Sequence, residues 1–277
     1  MSFAKKALAI GTLATLGVAA SASAQSTLNG AGATFPAPFY QRAFAALASQ
    51  GVMVNYQSVG SGAGVRQFVA GTVDFGATDE PIKDSEAAKV KRGVVQFPAS
   101  GGTIAIAFNK ADCASLKLTQ KQAADIFLGN ITSWDQLKCG KGKITVAHRS
   151  DGSGTTFAFT NSLSSFSSEW KSRVGEGKSV KWPVGVGGKG NEGVAGVITN
   201  TPGSIGYLSR AFVKGPIKAA ALQNKAGNFV LPSLASGSAA LNSIQLNGEL
   251  AGEDPNPAGA KSYPISTLTW ILAYEKG

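Results

Sequence analysis

A single histidine and two cysteines in 277 residues remove several chemistries at the outset. With His148 alone and no Cys-x-x-Cys, a zinc centre lacks ligands, and no metal or other cofactor is expected. No stretch supplies the G-x-x-x-x-G-K-[ST] of a nucleotide phosphate loop. The nucleophile elbow G-x-S-x-G is missing too, because Asp151 and not glycine stands two positions before Ser153. "GVGGKG" (Gly185 to Gly190) fits G-x-G-x-x-G formally, yet Arg210 stands where a ribose-binding acid belongs some twenty residues on, which marks a chance match. No aromatic-studded basic stripe or recognition-helix pattern points to nucleic acid. No run after residue 24 is long and apolar enough to span a bilayer.

The beginning of the chain is of another kind. Lys5 and Lys6, a short apolar middle and the small residues Ala22, Ser23 and Ala24 have the layout of a cleaved secretory signal, with the mature chain starting near Gln25 outside the cytoplasm. The alternative, a membrane anchor, is disfavoured by an apolar middle that is short and rich in Gly, Thr and Ala. Removing Lys5 and Lys6 from the 26 basic residues leaves 24 against 16 acidic ones, a net charge of +8. Such a surplus suits an anionic partner, although most of the charges are scattered as on a solvated surface. Cys113 and Cys139 lie in polar, lysine-containing segments, and an even count in an exported chain favours a disulfide over two free thiols. A loop of that length closed by a bridge is worth on the order of 3 kcal/mol.

Short apolar runs alternate with helical patterns. Strands are expected at 52–58, 73–79, 94–99, 103–109, 144–148 and 204–209, and helices at 37–48, 65–70, 120–128, 155–163 and 191–199. Thr119 with Gln122 three residues on has the form of a capping box for the third helix. The alternation predicts an α/β architecture with parallel sheets, in which ligands sit where strands end and helices begin.

Three glycine-rich turns fall at such places: "NGAGATFPAP" (Asn29 to Pro38), "QSVGSGAGV" (Gln57 to Val65) and "RSDGSGTT" (Arg149 to Thr156). Each leads into a helical segment, and Pro36 suits a helix start, where its missing N–H is no loss. Small residues leave main-chain N–H groups uncovered, and the hydroxyls of Thr34, Ser61, Ser153 and Thr155 add further donors. The third turn also carries Arg149. Together they describe an anion site. His148 beside it could act as a general base, although a lone histidine at a strand end is more often structural.

"GAGATFPAPFY", "VGSGAGV", "VDFGATDEP", "HRSDGSGTTFAFT", "VKWPVGVGGKGNEGVAG" and "PGSIGYLS" resemble, in order and rough spacing, the periplasmic phosphate-binding protein family of the phosphate ABC importer. The resemblance runs from Thr27 to about Leu272. It implies a type II periplasmic-binding fold, two α/β lobes joined by two hinge strands with phosphate in the cleft. Residues 25–99 and 258–277 would form the first lobe and 100–257 the second. By position it implies phosphate contacts from Thr34, Phe35, Ser61 and Asp79 in the first lobe and from Arg149, Ser153, Gly154 and Thr155 in the second, with Asp151 holding the Arg149 guanidinium. The partners implied are inorganic phosphate and the importer's membrane permease, with the binding protein itself a monomer and no enzyme. The residues agree with such a site: a fork of arginine donors and fixed dipoles holds a dehydrated anion by geometry, which a mobile lysine would do poorly. Asp79 has the bland alternative of capping a helix or pairing with Lys83.

Two features depart from the family pattern. Glu80 puts a second acid after Asp79, where the family commonly has a small or neutral residue, and it is expected to point away from the ligand. The family continues with helices that complete the first lobe, whereas this sequence ends at Gly277; either it is a fragment or this member packs that lobe differently, and for the chain as given an incompletely covered apolar face is expected there. Two other readings remain open at this stage, an exported phosphohydrolase with Ser153 as nucleophile and a phosphate scavenger that serves no transporter.

Overall fold

In the computed structural model, which describes residues 27–276, one long strand runs through both halves of the molecule and sets its plan. The signal-like segment lies outside the described residues. The first half comprises β1 (Thr27–Gly32), α1 (Ala37–Ala48), β2 (Met53–Ser58), α2 (Ser61–Val69), β3 (Phe75–Thr78) and the one-turn α3 (Asp84–Ala87). The chain then leaves along β4 (Val94–Asn109). The second half holds β5 (Lys117–Leu118), α4 (Gln120–Leu128), β6 (Thr145–Arg149), α5 (Gly154–Phe166), α6 (Ser168–Arg173), β7 (Val186–Gly188), α7 (Gly190–Asn200) and β8 (Ser204–Ser209). There follow β9 (Lys218–Ala219), β10 (Ala221–Gln223), β11 (Phe229–Val230) and α8 (Leu234–Leu241), and the chain returns along β12 (Ser266–Tyr274).

The strands join in one nine-stranded sheet ordered β2-β1-β3-β12-β4-β8-β6-β7, with β9 also on β4, while β11-β10-β5 form a small separate sheet. Within each half the strands that carry the glycine-rich turns are parallel, β1 to β2 and β3, and β6 to β7 and β8. The expectation of parallel sheets throughout is corrected by the two connecting strands. β12 is antiparallel to both β3 and β4, and β4 is antiparallel to β8. A strand that carries the chain out of one lobe and a strand that brings it back must run in opposite directions, so a two-stranded connection is antiparallel by construction. For the same reason the two strands expected at 94–99 and 103–109 are one: Ser100, Gly101 and Gly102 continue the ladder against β12 as the chain crosses.

Local chemistry accounts for the element ends. Thr119 and Gln122 form the capping box, Thr119 Oγ1 accepting from Gln122 N at 3.1 Å and Gln122 Oε1 from Thr119 N at 3.0 Å. α4 stops at Gly129, whose φ of +82° is a left-handed conformation that glycine adopts without penalty. The main core lies in the second lobe, where Phe127, Phe159, Trp170 and Tyr207 are fully buried and the Phe159 and Tyr207 rings stack 4.1 Å apart. Cys113 and Cys139 are joined by a disulfide at its edge. The first lobe's core, built on Ala31, Val65, Phe68, Val73, Val90 and Leu272, is smaller. Among the described residues no helix is long and apolar enough to cross a membrane.

Candidate anion-binding site at the lobe junction

Parallel strands ending together place the loops that follow them side by side, and the two lobes face each other through those ends. From the first lobe come Thr34 and Phe35 between β1 and α1, Ser61 opening α2, and Asp79 after β3; from the second, Arg149 ending β6, and Ser153, Gly154 and Thr155 opening α5. All eight are buried, and a hydrogen bond from Thr155 to Asp79 crosses the junction among them.

Arg149 is held from below. Its Nε and Nη2 donate to the two oxygens of Asp151 at 2.7 and 2.6 Å, and its main-chain N–H donates to the Tyr207 hydroxyl at 3.2 Å. The remaining terminal nitrogen, Nη1, is buried with no partner among the described residues. A buried cationic donor without an acceptor is costly, so this nitrogen fits an anion as its partner. Burial works to raise the Asp151 carboxyl, but the guanidinium and the Gly190 N–H, 3.0 Å away, outweigh it and hold the carboxyl below its usual range. Asp151 is therefore a fixed anion that orients the Arg149 guanidinium.

Asp79 has both carboxylate oxygens engaged by hydroxyls: Thr155 Oγ1 donates to Oδ2 at 3.0 Å across the junction, and Thr269 Oγ1 on β12 donates to Oδ1 at 2.9 Å. Burial raises its pKa from 3.8 to about 6, against the lowering effect of those two hydrogen bonds and of the Arg149 charge. It neither caps a helix nor pairs with Lys83, which binds Glu80 instead. Glu80 itself turns from the anion loops to lysines, as expected of it.

The helix N-termini are arranged unequally. Ser153 caps α5 by accepting Thr156 N–H at 3.0 Å on its hydroxyl, and its own N–H donates to the Lys178 carbonyl at 2.8 Å, so its hydroxyl proton is the donor it has left to offer. The N–H groups of Thr34, Phe35 and Gly154 make no hydrogen bond to another described residue. Two glycines are steric necessities. At Gly60, with φ +90°, a Cβ would stand 2.3 Å from Asp151 Oδ2, and at Gly154 it would stand 2.7 Å from both Asp79 N and Ser61 Oγ. Bare backbone at these points lets the α5 terminus press against the first lobe.

Four contributors escaped the sequence reading. Asn191, fully buried at the start of α7, donates to Thr34 Oγ1 from its main chain at 3.0 Å and from its amide at 2.7 Å, and its amide also reaches Thr155 Oγ1 at 3.3 Å. Its Oδ1 accepts from Ser209 N at 2.7 Å, which fixes the amide's orientation. Thr269 holds Asp79. Tyr207, whose hydroxyl burial raises to about 12, supports Arg149 N and lies 2.6 Å from Thr156 Oγ1. Lys178 supplies the carbonyl for Ser153. The segment holding Asn191 lay inside a quoted motif, but nothing in its spelling shows that it touches Thr34. His148 stays outside: its ring stacks on Trp182 at 4.9 Å and its Nδ1 lies 3.1 Å from the Arg149 carbonyl.

A two-lobed α/β protein with a buried, oriented arginine and bare helix termini meeting at the lobe junction is a binding protein of the periplasmic type, and the chain matches the PBP superfamily domain over residues 17–277. It is 46% identical over 275 residues to the phosphate-binding protein PstS of Haemophilus influenzae, covering 93% of this chain and 81% of that one. Against the PstS of Pasteurella multocida the identity is 44% over 264 residues, covering 90% and 76%. This chain belongs to the PstS family of phosphate-binding proteins. Its fold is also that of a human phosphate-binding apolipoprotein (TM-score 0.74, 22% identity, 89% of this chain and 81% of the other). A Clostridium perfringens phosphate ABC transporter substrate-binding protein solved with bound phosphate is similar too (TM-score 0.68, 22% identity, 90% and 87%).

Proposed function

We propose that this chain captures inorganic phosphate outside the cytoplasm and delivers it to the membrane permease of an ABC importer, acting as a monomer after removal of a signal near Ala24. Residues 25–99 with 258–277 serve as one jaw and 100–257 as the other. Phosphate sits between them, taking hydrogen bonds from the Thr34 and Phe35 backbone, from the hydroxyls of Thr34, Ser61 and Ser153, from Gly154 N–H and from Arg149, and the Thr155 hydroxyl, which otherwise donates to Asp79, turns to it. The observation that carries this reading is Arg149: a guanidinium fixed on two sides by Asp151, with one buried nitrogen left over, beside N–H groups that have no acceptor. Asp79 is the one acceptor, suited to a ligand that brings its own proton.

In favour of a binder over a phosphohydrolase, the Ser153 hydroxyl is engaged as a helix cap and no histidine or carboxylate hydrogen-bonds to it among the described residues. Calorimetry of the mature protein with phosphate, arsenate, sulfate and a phosphonate tests the proposal. Saturable phosphate binding that excess sulfate does not displace is expected, and no heat with phosphate would overturn it. Release of phosphate from an aryl phosphate ester would move the chain to the hydrolases.

A further inference from the structure

Away from the anion loops, a second set of charges spans the two lobes. Glu80, 3% exposed and directly after Asp79, lies with Oε2 3.1 Å from Lys178 Nζ, and Glu86 Oε2 lies 3.3 Å from the same nitrogen. The 3.1 Å contact is an ion pair whose angle is too poor for a hydrogen bond. Lys83 adds a contact to Glu80 Oε1 at 3.3 Å from the first lobe's own side. Lys178 belongs to the second lobe, in the loop after α6, and its side chain is only 14% exposed. The same residue accepts Ser153 N–H on its carbonyl at 2.8 Å, so its backbone is tied to the cap of α5 while its side chain reaches into the opposite lobe.

We infer that Lys178 is a positioning residue for the anion site, a latch that holds the lobes closed by pairing with Glu80 and Glu86. Opening the cleft removes Lys178 from two carboxylates, one of them buried, and leaves Glu80 to Lys83 alone. A partly desolvated pair is expensive to break by removing one partner, because the other charge stays behind. The latch therefore acts on how long the lobes remain shut, and so on ligand release more than on capture. One group opposes it. Glu253, held by Asn161 Nδ2 at 2.7 Å in the second lobe, feels the like charge of Glu80, and burial with that charge raises its carboxyl to about 7. The latch makes a phosphate site deepen its own grip without another ligand contact, and it rests on the phosphate reading above.

Stopped-flow phosphate binding and release on wild type, Lys178→Met, Lys178→Arg, Glu80→Gln and the Lys178→Met/Glu80→Gln double variant tests it. Lys178→Met is expected to speed release about tenfold while association stays within about twofold, and Lys178→Arg to restore most of the wild-type residence time. The double variant should release phosphate no faster than the faster-releasing of the two single variants, since both substitutions act on the same Lys178–Glu80 pair. Unchanged release in Lys178→Met, or effects of the two substitutions that simply add, would overturn the latch. Small-angle scattering of the ligand-free proteins gives a readout without phosphate: Lys178→Met should have a larger radius of gyration than wild type. If wild type bound no phosphate, the functional reading would fall while this comparison still decided the latch, and an unchanged radius would sink it. Circular dichroism confirms that each variant is folded, and Lys178→Arg, which keeps the charge, guards against a purely structural loss.

Discussion

Asp79 is the side chain whose chemistry is least expected in a cradle for anions. Hydrogen phosphate can donate its P–OH proton to this carboxylate; sulfate at neutral pH brings no proton and sets one anion against another in a dry cleft. Asp79→Asn is expected to retain measurable phosphate binding while narrowing the phosphate-over-sulfate ratio by at least tenfold, roughly 1.4 kcal/mol, in paired calorimetric titrations. Its raised pKa carries a stability signature with a definite sign. The fold disfavours the ionised form, so the contribution is fully present below the unfolded value near 3.8 and is lost as pH rises through about 6. Ligand-free Asp79→Asn should therefore be more stable than wild type above pH 7, by at most about 3 kcal/mol, with the gap closing toward pH 4 in urea titrations. An equal gap at both pH values would count against it. Arg149→Ala removes the buried donor and strands Asp151, so phosphate affinity should fall by roughly 3 kcal/mol or more. Arg149→Lys should recover part of this, because it keeps the charge and loses the fork. Full recovery in the same titration would show that charge alone holds the ligand.

Among the helices and strands, the decisive arrangement is the meeting of the α5 terminus with the turn after β3. A methyl group at residue 154 would strike Asp79 and Ser61 on the other lobe. Gly154→Ala is thus expected to hold the lobes apart, lowering phosphate affinity by about tenfold or more, while the melting temperature moves little because each lobe folds around its own core. Calorimetry and thermal circular dichroism separate the two outcomes. β12 has a related duty: its Thr269 binds Asp79 at the point where its register against β4 shifts between Thr269 and Trp270. A connecting strand thereby sets the orientation of a carboxylate at the lobe junction.

For the two lobes together, donors on both sides of the junction mean that phosphate should favour the shut arrangement, seen as a smaller radius of gyration on saturation in scattering. The lobes differ in how well they are covered. Val95 and Phe97 on β4, 46% and 43% exposed, pair with Ala273 and Ile271 of β12 and share their face of the sheet. α1 covers only the far side of that face, where Phe44 meets Phe75 and Tyr56. Beside it a groove of about 720 Å³ opens between Phe35 and Phe39 of the first lobe and Leu234 and Leu241 of α8. Exposed apolar surface on this scale binds hydrophobic dyes and favours association. The folded protein should therefore enhance the fluorescence of an anilinonaphthalene dye, and Val95→Thr with Phe97→Thr should reduce the enhancement.

Much of this was legible before any coordinates. Helices 37–48 and 120–128 and the strand 204–209 fall where periodicity and caps put them, because their signals are local: an apolar stripe, a threonine with its glutamine, a run buried on both faces. The expectation of an anion site at the glycine-rich turns was legible for the same reason, since bare backbone and a neighbouring arginine are written in adjacent letters. What needed the tertiary structure is everything that joins residues far apart in the chain. Asn191 on Thr34, Thr269 on Asp79 and Lys178 on Glu80 are contacts across 157, 190 and 98 positions, the first and third made only when the two lobes meet and the second only when β12 returns beside β3. The antiparallel run of β4 and β12 is of the same kind. No propensity in either strand encodes its direction, which follows from one leaving a lobe and the other coming back.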